Sequence, residues 1–239
     1  MRTLYWYLYF FLSLGISSNK LRSLRAKKGN ISKEDYETRV NEIASNWSKK
    51  QIKNSGAKIY LEGIENIPEE RVLFISNHQS SFDIAILMSY INKNKGFVAK
   101  KEMFEIPFLR AWMKELRCVS IDRTNMKKSL QAILEGIQIL KDDYSMVIFP
   151  EGTRSIDGHM KEFKPGSFKL ATKTGAPIVP VTIDGSYKIL RSGSLKINPA
   201  NVYVTIHPPI YVKDLDKEEQ KIIPDKVQDI IQSKLNISK

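Results

Sequence analysis

From residue 58 onward, short apolar runs of strand length alternate with longer stretches of helical periodicity, and few folds accept that order. The runs at 58–61, 72–75, 97–99, 118–121, 146–149, 178–183 and 202–206 read as strands. The stretches at 82–91, 108–115, 127–141, 166–173 and 218–235 read as helices. This alternation predicts an α/β domain with a mixed, largely parallel central sheet flanked by helices. Residues 184–200, rich in Gly, Ser and Lys, read as a loop. No internal repeat or low-complexity linker interrupts the pattern. At 239 residues the chain is long enough to bury a full core.

The first 55 residues read differently. Leu4 to Ile16 is apolar or aromatic apart from Ser13 and Gly15. As a helix it would be roughly 20 Å long, short of the ~30 Å hydrocarbon core of a bilayer. Tyr5, Trp6, Tyr7 and Tyr9 suit the lipid–water interface. Lys20, Arg22, Arg25, Lys27 and Lys28 follow, a basic cluster placed to meet anionic headgroups. A signal peptide is the competing reading, but no A-x-A-like cleavage site is present and the aromatic load is high. The expectation is a helix dipping into one leaflet. A second helix is expected over 32–54, with Ser32 as N-cap and Tyr36, Val40, Ile43, Ala44 and Trp47 as its apolar stripe. The chain therefore divides into a two-helix membrane-anchoring motif at 1–55 and an α/β domain at 56–239.

The formal net charge of +12 implies an anionic partner: nucleic acid, a phosphorylated metabolite or acidic lipid. The single cysteine, Cys118, excludes an internal disulfide, and no Cys/His cluster points to a metal site.

Two polar loops carry the chemistry. The first, Ser76-Asn77-His78-Gln79-Ser80-Ser81-Phe82-Asp83, joins the strand at 72–75 to the following helix. Ser80 or Ser81 can cap that helix, and Asp83 falls in its first turn, where the helix dipole favours a carboxylate. A carboxylate bonded to one ring nitrogen of His78 would fix its tautomer and free the other nitrogen to take a proton from a hydroxyl. A capping Asp beside an unrelated loop His is the plainer alternative. The second loop, Pro150-Glu151-Gly152-Thr153-Arg154-Ser155, follows the strand at 146–149. Gly152 allows a tight turn, Arg154 offers a planar fork suited to phosphate, and Glu151 could orient it or bind a hydroxyl. Lys100, Lys101 and Arg123 also follow strands. One base and several cations gathered at strand ends describe a site for an anionic substrate with a reactive hydroxyl. No G-x-S-x-G, Walker loop or G-x-G-x-x-G occurs, so the substrate hydroxyl is itself the expected nucleophile.

These residues resemble the glycerolipid acyltransferase family. Asn77-His78-Gln79-Ser80-Ser81-Phe82-Asp83 is similar to its N-H-x-S-x-x-D motif. Lys100-Lys101-Glu102, Ile106-Pro107-Phe108 and Ile121-Asp122-Arg123 resemble its second block, and Phe149-Pro150-Glu151-Gly152-Thr153-Arg154-Ser155 its third. Phe163-Lys164-Pro165-Gly166 and Ile178-Val179-Pro180-Val181 resemble the segments that follow. The two-helix N-terminus also resembles the leaflet anchor of short bacterial members. The resemblance implies transfer of an acyl group from acyl carrier protein or coenzyme A to the free hydroxyl of lysophosphatidic acid. It implies His78 and Asp83 as catalytic pair. Lys100, Lys101, Arg123, Glu151, Gly152, Thr153 and Arg154 become substrate-binding residues, with a backbone N–H or Lys101 at the oxyanion. It implies no metal, no bound cofactor and a monotopic or peripheral place on the cytoplasmic face of the cell membrane. Other acceptors, glycerol-3-phosphate or another lysolipid, remain open. So does a basic membrane- or nucleic-acid-binding module without catalysis. A nucleic-acid partner is not expected, because the cations are scattered among strand ends and tails. Met103, Phe104, Phe108, Leu109, Trp112 and Met113 are candidates for an acyl channel or for ordinary packing.

Overall fold

The computed structural model describes residues 1–156 and 158–235. Helices α1 (Arg2–Arg25) and α2 (Lys33–Ser55) lead into β1 (Lys58–Glu62), β2 (Leu73–Ser76), α3 (Phe82–Tyr90), β3 (Lys95–Lys100) and α4 (Pro107–Glu115). Then come β4 (Val119–Ile121), α5 (Met126–Lys141), β5 (Ser145–Ile148), α6 (Lys169–Thr174), β6 (Ile178–Asp184), β7 (Asn201–Ile206) and α7 (Lys217–Gln232). The strands form one sheet in the order β1-β7-β6-β2-β5-β3-β4. Every pairing is parallel except β6 with β7. The expected mixed, largely parallel sheet is therefore present.

The central strands are buried on both faces, which is why they read as unbroken apolar runs. Their side chains alternate between two cores. Phe74, in register with Val147 and Val179, faces the apolar cluster that includes α1, α2 and α3. Leu73 and Ile75, in register with Met146 and Ile148, face the cluster shared with α5, α6 and α7. At the starting end of β3, Lys95 is buried with its Nζ donating to Ile91 and Lys93 carbonyls. Burial pushes that amine down to about 7. It lies at the opposite end of the parallel strands from the polar loops.

Of the N-terminal helices, α1 differs from expectation in length, and both pack against the rest of the chain. Helix α1 continues well past Ile16, because Leu14, Ser17, Leu21 and Leu24 extend a buried stripe through the basic cluster. The opposite side of α1 leaves Leu4, Tyr5, Leu8, Phe11, Leu12 and Ile16 exposed. Helix α2 begins as expected, with Ser32 Oγ accepting from Asp35 N–H at 3.0 Å, and ends at Gly56 in the left-handed conformation. Both helices are latched to α4 through Glu115. That carboxylate accepts from Arg25 Nε and Tyr36 Oη, each at 2.9 Å, and pairs with Lys28 at 3.3 Å. The helix expected over 166–173 splits into a 3-10 turn at Pro165–Phe168 and α6.

Candidate active site

Because β2 and β5 are parallel neighbours, the loops leaving their C-terminal ends emerge side by side. Just after β2, the Asn77 side chain pairs with both backbone groups of Ile183 at 2.8 Å, as a strand residue would. His78 follows, and the β5 loop grips it on three sides. Its N–H donates to Glu151 Oε1 at 2.6 Å, its carbonyl accepts from Ser155 N–H at 2.7 Å, and its ring stacks on Phe149 at 4.2 Å.

Asp83 is fully buried. Its Oδ2 accepts from Gln79 and Ser80 N–H at 2.7 and 2.8 Å and meets His78 Nδ1 at 2.8 Å. Its Oδ1 accepts from Ser186 Oγ. A carboxylate saturated by donors is acceptor only, so Nδ1 carries the proton and Nε2 is the nitrogen left with a lone pair. Of the two expected caps, Ser81 makes no capping bond and Ser80 reaches only the first helical N–H, that of Phe82. Ser80 Oγ donates to Leu190 O, and Ser81 Oγ accepts from Arg154 Nη1 at 3.0 Å. Asp83 takes the Gln79 and Ser80 N–H groups ahead of the helix, while Ser80 Oγ accepts from Phe82 N–H at 3.4 Å.

His78, Arg123, Gly152, Thr153, Arg154 and Lys100 all line one cleft of about 890 Å³. Lys164 also lines it, a cation the residue-by-residue reading did not assign. Gly152 has φ +73°, and a Cβ there would sit 3.1 Å from Lys164 Nζ, so the glycine leaves that ammonium its room. Burial pulls the Arg123 guanidinium down from its usual range, with Glu102 opposing. From this polar arm the cleft runs into an apolar one walled by Trp6, Phe10, Trp47, Leu109, Trp112 and Met113. Met103 also lines it; Phe104 and Phe108 do not. Cys118 is on the wall too, but burial pushes its thiol up to about 12, far from the thiolate a nucleophile needs.

Three expected site residues stand outside this lining. Asp83 is buried behind His78, whose Nδ1 it meets. Lys101 Nζ is held by Asp122 Oδ2 at 2.9 Å, so its ammonium already has a partner away from His78. Thr124 and Lys101 together hold the Asp122 carboxyl well below the usual carboxylate range. Glu151 turns inward: beyond the His78 N–H it accepts from Lys161 N–H at 2.9 Å, and it is buried. Its two oxygens splice the loops together and are not free to orient Arg154. Burial pushes this carboxyl up to about 7, against the pull of its two N–H donors and His78. Of the other histidines, His207 pairs with Thr182 within the sheet and His159 is exposed.

Residues 58–184 match the family model described as Acyltransferase. The chain is 39% identical over 162 residues to a chloroplastic 1-acyl-sn-glycerol-3-phosphate acyltransferase of Arabidopsis thaliana, covering 66% of this chain and 45% of that one. It is 30% identical over 186 residues to the 1-acyl-sn-glycerol-3-phosphate acyltransferase of Borreliella burgdorferi, covering 77% and 74%. The chain spans about half the length of the plant relatives it matches, between 45% and 57%. The crystal structure of the 1-acyl-sn-glycerophosphate acyltransferase PlsC from Thermotoga maritima superposes with a TM-score of 0.84 at 28% identity, covering 98% of this chain and 95% of that one. With the family model matched from β1 through β6 and over both polar loops, and the fold shared nearly end to end, this chain belongs to the acyltransferase family.

Proposed function

We propose that this chain transfers a fatty acyl group from a thioester to the free sn-2 hydroxyl of lysophosphatidic acid, giving phosphatidic acid. The observation that carries this reading is that His78, paired to Asp83, and Arg154 line one cleft with an apolar arm. The acceptor's phosphate sits against Arg154, with Arg123, Lys100 and Lys164 adding positive charge. His78 Nε2 takes the hydroxyl proton as the oxygen attacks the thioester carbonyl. The tetrahedral intermediate collapses, the C–S bond breaks, and the thiolate of acyl carrier protein or coenzyme A leaves with the proton His78 held. The imidazolium is stabilised throughout by Asp83. The apolar arm receives an acyl chain and keeps water from the thioester.

The reaction takes place at a membrane surface in this reading. Among the described residues, no helix is long and apolar enough to cross a membrane. The exposed apolar face of α1, with Lys20 and Lys27 beyond it, supports insertion into one leaflet with anionic headgroups nearby. The cytoplasmic face supplies both named thioester donors.

The test is a competition in detergent micelles among lysophosphatidic acid, glycerol-3-phosphate and a lysolipid without a free phosphate, with acyl-CoA or acyl carrier protein as donor. Phosphatidic acid is the expected main product. Preferential acylation of either other acceptor would reassign the substrate, and no acylation with either donor would defeat the reading.

A further inference from the structure

The end of β6 and the loop after it hold the catalytic loop through Ile183, Gly185, Ser186 and Leu190. Ile183 pairs with Asn77, Gly185 N–H donates to Gln79 Oε1 at 3.0 Å, and Leu190 O accepts from Ser80 Oγ at 3.2 Å. Ser186, fully buried in a 3-10 turn opened by Gly185 at φ +95°, donates its hydroxyl to Asp83 Oδ1. A Cβ on Gly185 would lie 2.6 Å from Asn201 O, so the turn is fixed against β7 as well.

Asp83 thus has a division of labour between its two oxygens. Oδ2 carries His78 Nδ1 and two backbone N–H groups, all from its own loop. Oδ1 carries a donor from outside that loop, the Ser186 hydroxyl from 103 residues away. The local donors would follow any rotation of their own loop, whereas the Ser186 hydroxyl refers the carboxylate to the rigid sheet. We infer that Ser186 is a positioning residue for the reaction: by holding Asp83 Oδ1 it keeps Oδ2, and through it the His78 ring, at the angle that presents Nε2 to the acceptor hydroxyl.

The inference rests on the reading of His78 as general base. It has two consequences that simple satisfaction of a buried carboxylate lacks. Without the hydroxyl, less of the Asp83 charge is drawn off toward Ser186 and more falls on His78, so the imidazolium is favoured. The other charged groups at this loop, Glu151 on the His78 N–H and Arg154 on Ser81, are unchanged by the substitution. The orientation of Nε2 also loosens, which lowers kcat and leaves donor KM in place.

The test compares wild type, Ser186→Ala and Ser186→Thr, the last retaining the hydroxyl. In Ser186→Ala, kcat should fall about tenfold, the loss expected for one charge-assisted hydrogen bond. The acid limb of its pH–rate profile should move up by about half a unit, a modest fraction of what a nearby charge can do. Ser186→Thr should restore both. Nitrogen-15 NMR of the His78 ring, read without substrate, should show the same upward titration shift in Ser186→Ala. A variant that melts lower but keeps the wild-type kcat, limb and ring titration would overturn the inference, whatever Ser186→Thr does. Failure of the underlying reading looks different. Wild-type protein would then transfer no acyl group while the His78 ring still responds to Ser186→Ala.

Discussion

The two arms of the cleft are held in opposite ways. Around His78 directed bonds fix its N–H, its carbonyl, its Nδ1 and both oxygens of the aspartate that holds it, which leaves Nε2 to face the cleft. The apolar arm is built from rings. Trp6 meets Phe10 at 5.2 Å and Phe82 at 5.4 Å, and Phe10 meets Trp47 at 5.2 Å, with Trp6 and Trp47 each donating one hydrogen bond at the edge. Proton transfer needs one geometry, and hydrogen bonds with their narrow angular tolerance supply it. A hydrocarbon chain needs volume and dryness, which contacts between rings provide without fixing one pose. Single changes should therefore be severe at one arm and graded at the other.

The largest effect belongs to His78→Ala. In the proposed role of general base its loss should lower kcat by ~10²–10⁴-fold, beyond the stability lost with the Asp83 bond and the Phe149 stack. Initial rates in micelles measure it, and near-normal turnover would remove the contrast at its strongest point.

Next is Glu151→Gln. The folded-state pKa of Glu151 is raised to about 7 by burial. Its contribution to stability is thus fully present below the ordinary carboxyl pKa and is lost as pH rises through 7. Over that window the wild type should lose on the order of 3 kcal/mol from this group, and the Gln variant should lose none of it. Melting temperatures from pH 4.5 to 8 decide this; parallel curves for the two proteins would contradict it.

Phe11→Ser should leave the fold intact, because that ring is exposed. Binding to anionic phospholipid vesicles should weaken about tenfold, the loss of one buried ring. Unchanged sedimentation with vesicles would move the membrane contact elsewhere.

The smallest effect is expected from Trp112→Phe, a slight widening of the apolar arm. It should shift acyl-chain preference toward longer donors by a few-fold, roughly one methylene's worth of discrimination. An unshifted preference would make Trp112 a packing residue alone.

The same contrast explains what the sequence made legible. Both polar loops could be read because each follows an unmistakable apolar run, and a run plus a turn places its residues at a strand end. The lateral order of strands leaves no local periodicity, so the contact of Ser186 with Asp83 was invisible: it depends on β6 lying next to β2. The bonds of Glu151 depend on the fold in the same way. Composition marks a carboxylate beside an arginine, but only the fold reveals that two backbone N–H groups claim it first. Helix α1 was read short because its basic residues masked Leu21 and Leu24, whose spacing from Leu14 continues the stripe. Lys101 was grouped with the site from its position after a strand, and its pairing with Asp122, 21 residues on, again needs the sheet.

The central claim is that a guanidinium and an imidazole act on the two ends of one acceptor. It is tested most directly by comparing lysophosphatidic acid with 1-monoacylglycerol, the same acceptor without phosphate, in wild type and Arg154→Ala. The wild type should strongly favour the phosphorylated acceptor. Arg154→Ala should lose about ten- to a hundredfold of that preference, the worth of a charge-assisted phosphate contact, while its slow rate on monoacylglycerol stays the same. Equal losses on both acceptors, or an untouched preference, would contradict the account.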